Sequence, residues 1–311
     1  MLSRRNVRIK VLQVIYGSNI NHDKIERYQR NYQTSIDRSL EILVYSLRVM
    51  QKILKYSLTD AENRKYKKLP SDNDKLFKPV LLTNKQSQNL MNSQLLEIYT
   101  RKFHTDTKID QDVIRRLYLE FSKDEDYIQY YIAAEHTTEE NIAMLLKIYK
   151  LLTKNEVFNE TIEDHYVSWD DDESLVVGAM KKIIKSLDQD EYDFLKDYIP
   201  DDETVKEFGE TLLIATVKND KSLVELITPF LENWELERVA AIDLIMLKMA
   251  VTEILRIESI PTKVTLNEYV EISKIYSTEK SKEFINGILD RIINKLNNEN
   301  KIIKTGRGLD N

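Results

Sequence analysis

The stretch VAAIDLIMLKMAVTEIL, residues 239–255, decides how the chain folds. It is apolar nearly all round, and its only charges, Asp243, Lys248 and Glu253, point in different directions at about 100° per residue. No face is left for water. This helix is expected at the centre of a core, with each of its three charges paired or used.

Toward the C-terminus, Pro261 breaks the chain and residues 264–276 read as a further helix. Ser281 reads as the cap of a last helix whose inner stripe is Phe284, Ile285, Ile288, Leu289, Ile292 and Leu296. Asn286 and Gly287 in mid-helix cost about 1 kcal/mol relative to better helix formers. Close helix packing is the usual reason, and backbone access for a ligand is the alternative. Residues 298–311 are polar and read as a flexible tail.

Toward the N-terminus, Val7, Val11, Val14 and Ile15 form one helical stripe, widened by Ile9, Leu12 and Tyr16, with Ser3 as a plausible N-cap. Arg4, Arg5, Arg8 and Lys10 all precede the first acidic residue, Asp23. A second helix is predicted over 36–57, and residues 59–88 read as a polar connection carrying Arg64, Lys65, Lys67, Lys68, Pro70 and Pro79. Helices resume over 90–103, 111–121 and 124–135. Residues 138–169 resemble 202–234, each with an acidic start, an apolar helix, a short helix and a Trp (Trp169, Trp234), either as a duplication or as two helical hairpins obeying the same packing rules. The expected division is 1–58, a helical expansion over 59–200, a helical core over 201–297, and the tail.

Composition agrees with an all-α fold. Among 311 residues, 42% are apolar, enough for a sizeable core, and 6 Gly with 5 Pro are too few for a fold of many tight turns. The absence of cysteine excludes disulfides, thiolate zinc sites and a cysteine nucleophile. No run of about 18 apolar residues is present to span a membrane, and the basic N-terminus lacks the features of a secretory signal, so a cytoplasmic protein is expected. His22, His104, His136 and His165 are isolated, without ligand spacing. Asp170 to Glu173 lack the glycine turn of a calcium loop and read as a solvated helix start. No Gly-rich phosphate loop or Gly-x-Ser-x-Gly elbow occurs, so neither cofactor nor enzymatic activity is expected. A net charge of −6 argues against indiscriminate binding to polyanions and makes the clustering of arginine at one end more informative.

The motif Ile260-Pro261-Thr262-Lys263-Val264-Thr265-Leu266-Asn267-Glu268, followed by Phe284-Ile285-Asn286-Gly287-Ile288-Leu289-Asp290, resembles the paired C-terminal motifs of the NusB family of transcription antitermination proteins. The helix around Leu247 to Ile254 resembles the family's central helix, and Arg4-Arg5-Asn6-Val7-Arg8 with Gln13 and Tyr16 resembles its basic first helix. The likeness covers residues 1–16 and 225–296. The longer segment between looks like the enlarged N-terminal half of one bacterial group's NusB proteins, whose ending resembles Lys304-Thr305-Gly306-Arg307-Gly308-Leu309.

The resemblance implies an all-α, NusB-like helical bundle with a large helical insertion. It implies binding to the box A element of nascent ribosomal RNA, jointly with a small-subunit ribosomal protein acting as NusE, within an RNA polymerase antitermination complex. It maps RNA contact onto Arg4, Arg5 and Arg8, with Gln13, Tyr16 and Phe284 nearby, and the charge of Lys10 is expected to add to them. Phe230 stands where some members carry Tyr, Lys280 where a member type carries an acid, and Asp243 where the family carries an acidic partner-binding residue. The chemistry fits, because guanidinium forks match phosphates and aromatic faces stack single-stranded bases. Two rivals remain: a helical interaction scaffold that has lost RNA binding, and an RNA-modifying enzyme, which would need an α/β nucleotide-binding segment absent from the chain.

Overall fold

The computed structural model describes residues 2–19, 24–133, 135–189, 192–231 and 239–305. Every regular element among them is helical. By contacts the chain divides into two compact units: an inserted unit of residues 37–199, and a terminal unit assembled from residues 2–36 and 200–311.

The terminal unit begins with α1 (Arg4–Asn19) and the first part of α2 (Ile25–Lys65), which passes into the inserted unit after Ile36. The inserted unit continues through α3 (Asp72–Leu76), α4 (Val80–Thr83), α5 (Lys85–Met91), α6 (Gln94–Lys102), α7 (Gln111–Phe121), α8 (Glu125–Ile132), α9 (Thr138–Lys154), α10 (Glu156–His165) and α11 (Trp169–Ser186). A π-helical segment, Glu203–Glu210, reopens the terminal unit, followed by α12 (Thr211–Lys218), α13 (Asp220–Ile227), α14 (Ala241–Arg256), α15 (Thr262–Tyr276) and α16 (Ser281–Asn298).

In the inserted unit, Leu40, Leu43, Val44, Leu47, Met50 and Leu54 of α2 are buried with Ile148 and Leu152 of α9 and Val176, Met180 and Ile183 of α11. Each such aliphatic side chain contributes about 1.5–3 kcal/mol on burial. α2 outruns the predicted 36–57 at both ends. Buried Tyr28 and Tyr32 carry its stripe backward at helical spacing from Ile36, and an Arg64–Asp60 pair of 2.8 Å extends it forward. Residues 59–88 are largely helical rather than a plain connection, because their polar side chains act as caps. Ser71 and Asp74 form a capping box at α3, and Asn84 caps α5. Of the acidic run at α11, Asp172 is buried and accepts from Ser39 at 3.1 Å, while Asp170, Asp171 and Glu173 face solvent.

The first stretch of the internal likeness is a helix, a shorter helix and then α11. The second opens in π-helical geometry, and Trp234 lies outside the described residues.

In the terminal unit α14 is central and packs against α1, α12, α13, α15 and α16. The expectation for its charges holds: Lys248 meets Asp220 at 2.6 Å, Glu253 meets Arg8, and Asp243 accepts from Ser281 at 2.8 Å. Glycine is required at Gly209, where a Cβ would collide with the Tyr32 hydroxyl and with Val7. At Gly287 a Cβ would meet nothing within 4 Å, which removes close packing as the reason for glycine there.

Ser281 is the first residue of α16 rather than its cap; Lys280 holds the cap position, and the Ser281 hydroxyl is bound to Asp243, Ser277 and Thr278. The start of the predicted tail is docked. Lys304 Nζ donates to the carbonyls of Glu253 (3.3 Å) and Ile257 (2.8 Å), satisfying the C-terminal end of α14 as a capping cation does, and burial lowers its pKa. Gly306 to Leu309 lie outside the described residues.

Candidate nucleic-acid interface

Ser3 starts α1 as expected, its hydroxyl accepting from Asn6 N–H at 3.3 Å. Val7, Val11, Leu12, Val14 and Ile15 are buried, which turns Arg5, Ile9, Gln13 and Tyr16 toward the solvent edge. α1 carries no acid in its first turn, so arginines there oppose the helix dipole. Carboxylates from distant segments offset that penalty, and they do so in graded fashion.

Arg8 is sealed. Its guanidinium forms a two-point fork with Glu253 (Nε–Oε2 2.7 Å, Nη2–Oε1 2.6 Å), with both side chains at most 3% exposed. It lies 5.0 Å from the Phe208 ring centre and 6.0 Å from that of Tyr269. Thr265 Oγ1 and Tyr269 Oη also donate to Glu253, at 2.7 and 3.3 Å. Burial disfavours the Arg8 charge, but the Glu253 hydrogen bond and charge outweigh it and hold the pKa above its ordinary value. Burial likewise pushes the Tyr269 hydroxyl well up.

Arg5 is intermediate. It makes the same fork with Glu268 (Nε–Oε2 2.8 Å, Nη2–Oε1 2.7 Å), but its side chain is 46% exposed against 19% for the acid. The hydrogen bond with Arg5 holds the Glu268 carboxyl below its usual range and raises Arg5 in turn. Glu268 also lies 3.6 Å from Arg8. Arg4 is the loosest, paired at 2.9 Å with Glu203, which is 71% exposed, and 5.9 Å from the Phe208 ring centre.

These arginines line a cleft of about 450 Å³ with Ser3, Ser259, Ile260, Pro261, Val264 and Glu268. The Ile260–Glu268 motif thus forms the wall opposite the arginines. Further along, Gln13 Nε2 donates to Tyr276 Oη at 3.4 Å. The pairs 5–268 and 13–276 share one sequence offset, so α1 and α15 run in the same direction, bridged by long side chains. Arg5 and Gln13 are about 12 Å apart along the helix at 1.5 Å per residue.

Several expected contacts are corrected by this placement. Arg8 is turned away from solvent, because Glu253 holds its Nε and Nη2 in a buried fork. Lys10 is 4% exposed and points into the unit. Asp243 is 5% exposed beneath the start of α16; its Oδ2 holds Ser281, and its Oδ1 has no hydrogen-bond partner among the described residues. Its carboxylate is thus turned inward rather than presented at the surface.

Tyr16 (47% exposed) and Lys280 face solvent, and Phe284 is half-buried on α16. Phe230 is half-buried under Lys295 (5.4 Å), with its carbonyl accepting from Arg291 at 2.7 Å. The residues that sequence reasoning left without a site role are Glu203, Phe208, Thr265, Glu268 and Tyr269. A charge on the all-round apolar helix did flag Glu253. No cluster of His, Asp or Glu that could hold a metal occurs among the described residues, and no helix among them is long and apolar enough to cross a membrane.

A model of the NusB family matches residues 174–294. The chain is 41% identical over 111 residues to a transcription antitermination protein NusB of Salinibacter ruber, a match spanning 36% of this chain and 69% of that protein. It is 43% identical over 91 residues to the one of Natranaerobius thermophilus (29% and 66%), and 37% identical over 118 residues to the one of Chloroherpeton thalassium (37% and 56%). No solved structure matches the chain.

Proposed function

This chain belongs to the NusB family, and from that premise we propose that it is a transcription antitermination factor that binds box A-type single-stranded ribosomal RNA together with a small-subunit ribosomal protein. The observation that carries the reading is the open cleft at the start of α1, where Arg4 and Arg5 keep roughly half their side chains in solvent. Phosphates would meet these two forks, and bases would stack further along, with Tyr16, Gln13, Lys280, Phe284 and Phe230 as the proposed contacts. Arg8, Lys10 and Asp243 act from beneath: Arg8 fixes α1 against α14, and Asp243 fixes the first turn of α16. The complex of RNA and ribosomal protein would then enter an RNA polymerase antitermination complex. Joint binding lets an acidic protein select RNA without either contact being strong alone.

One observation favours the second reading, a helical scaffold without RNA binding: each of the three arginines already has a carboxylate partner. A gel shift with a box A oligonucleotide separates the two. The proposed function predicts a shift that strengthens with the ribosomal protein and weakens about tenfold or more in the R4A/R5A variant, about one charge-assisted contact or more. Partner binding without any RNA shift would establish the scaffold instead. Deleting the first ten residues is the poorer test, since it also removes Val7 and Arg8 from the core.

A further inference from the structure

An arginine that is to grip a phosphate is usually left to water, yet Arg5 is held in a two-point fork by Glu268, and the acid is the more buried of the two. Arg8 lies 3.6 Å from the same carboxylate. A phosphate entering the cleft of Arg4, Arg5 and Arg8 meets that negative charge on the cleft wall. It must either displace Glu268 from Arg5 or share the guanidinium with it.

The three pairs form a series of rising exchange cost. The Arg4–Glu203 pair is solvated on both sides and exchanges freely, since exposed ion pairs contribute little. The Arg8–Glu253 pair is sealed and does not exchange. Arg5–Glu268 sits between them and alone can respond to which ligand arrives.

We propose that Glu268 is a specificity-determining residue, a built-in competitor that occupies Arg5 and sets the threshold an RNA must exceed to be held. The inference rests on the RNA-binding reading above. A random polyanion offers phosphates only, and phosphate for carboxylate at Arg5 is a near-even exchange, because both accept the same fork. An RNA that also stacks bases near Tyr16 or contacts the ribosomal protein brings additional binding energy and can open the pair. Competition of this kind raises selectivity by lowering affinity for the wrong ligand.

The test measures RNA affinity by fluorescence anisotropy across a salt series, on the full chain, with a box A oligonucleotide and a scrambled oligonucleotide of equal length. E268Q keeps the side-chain shape and removes the charge. It is expected to bind both RNAs about threefold to tenfold tighter, as expected for release of one part-exposed charge contact, with the larger gain on the scrambled sequence. For the scrambled oligonucleotide the slope of log affinity against log salt should become more negative by about 0.7, one further phosphate neutralised on a single strand, whereas for box A, which already opens the pair, the slope should not change. The same substitution in an R5A background should bring a much smaller gain, because the arginine left beside Glu268, Arg8, stays forked to Glu253.

Equal or weaker binding by a folded E268Q overturns the proposal and makes Glu268 a positioning residue for Arg5. An equal gain in the R5A background overturns it too, since the effect is then a general field on the RNA. Should E268Q lose its helical circular dichroism, E268D, which retains the charge but shortens the fork, carries the test with a smaller gain expected; no gain there overturns the proposal. Failure of the unaltered chain and every variant to bind RNA, with or without the ribosomal protein, removes the underlying reading and the gate with it.

Discussion

Two basic clusters stand out in the sequence, Arg4-Arg5-Arg8 on α1 and Arg64-Lys65-Lys67-Lys68 at the end of α2, and the structure treats their inner members alike and their outer members differently. Arg64 is clamped much as Arg8 is: it bonds Asp60 at 2.8 Å, lies 3.4 Å from Asp74 and stacks 4.2 Å from the Phe77 ring centre. Around Arg8, the outer cations are arginines lining a cleft. Around Arg64, they are lysines on an exposed turn with Tyr66 and Leu69, and Lys67 is bonded to Asp74 at 2.7 Å. The lesson is that a run of positive charge contains both structural and available members. Burial and the carboxylates arriving from elsewhere decide which is which.

The largest effects are expected at the inner arginines. R8A leaves Glu253 buried with Thr265 and Tyr269 as its remaining side-chain donors among the described residues, and should destabilise the terminal unit by about 3–5 kcal/mol in chemical denaturation. Wild-type stability in that variant would mean that Arg8 is not clamped and is free for another role. R64A should cost less, about 1–3 kcal/mol, because its pairs retain some solvent. A loss as large as that of R8A would erase the distinction between the two clamps.

A pH titration sharpens the second clamp. The hydrogen bond from Lys67, with those from Ser71, holds Asp74 down at about 2, below the usual carboxylate range. Its contribution is therefore present above the unfolded-state value near 4 and is lost as pH falls toward 2. Melting temperatures at about pH 5 and about pH 2.5 should fall further apart in the wild type than in D74N. Equal acid sensitivity would remove Asp74 from the account. The smallest effect is expected at the outer lysines. K65A/K68A should change neither stability by more than about 0.5 kcal/mol nor box A affinity by more than about twofold. A larger loss of RNA affinity would promote that turn to a binding surface.

The helical class and the central place of α14 followed from residues 239–255, because an all-round apolar helix admits only one environment. The demand that its charges be paired also pointed to Glu253 and Lys248. The partners themselves were out of reach, since Glu253 meets Arg8 across 245 positions and Arg4 meets Glu203 across 199. Local periodicity says which face of α1 turns inward. It does not say that Arg8 can follow that face into the core once a carboxylate is waiting. The same limit explains residues 59–88, where Ser71, Asp74 and Asn84 read as loop residues by type but serve as helix caps.

The proposal at stake is that Arg4 and Arg5, and not Arg8, meet RNA phosphate. Its most direct test is the salt dependence of box A binding, with the ribosomal protein present, for the unaltered chain and for R4A/R5A. The account predicts weaker binding and a slope shallower by about 1.4 for two lost phosphate contacts on a single strand, with the folded state unchanged. An unchanged affinity and slope would contradict it.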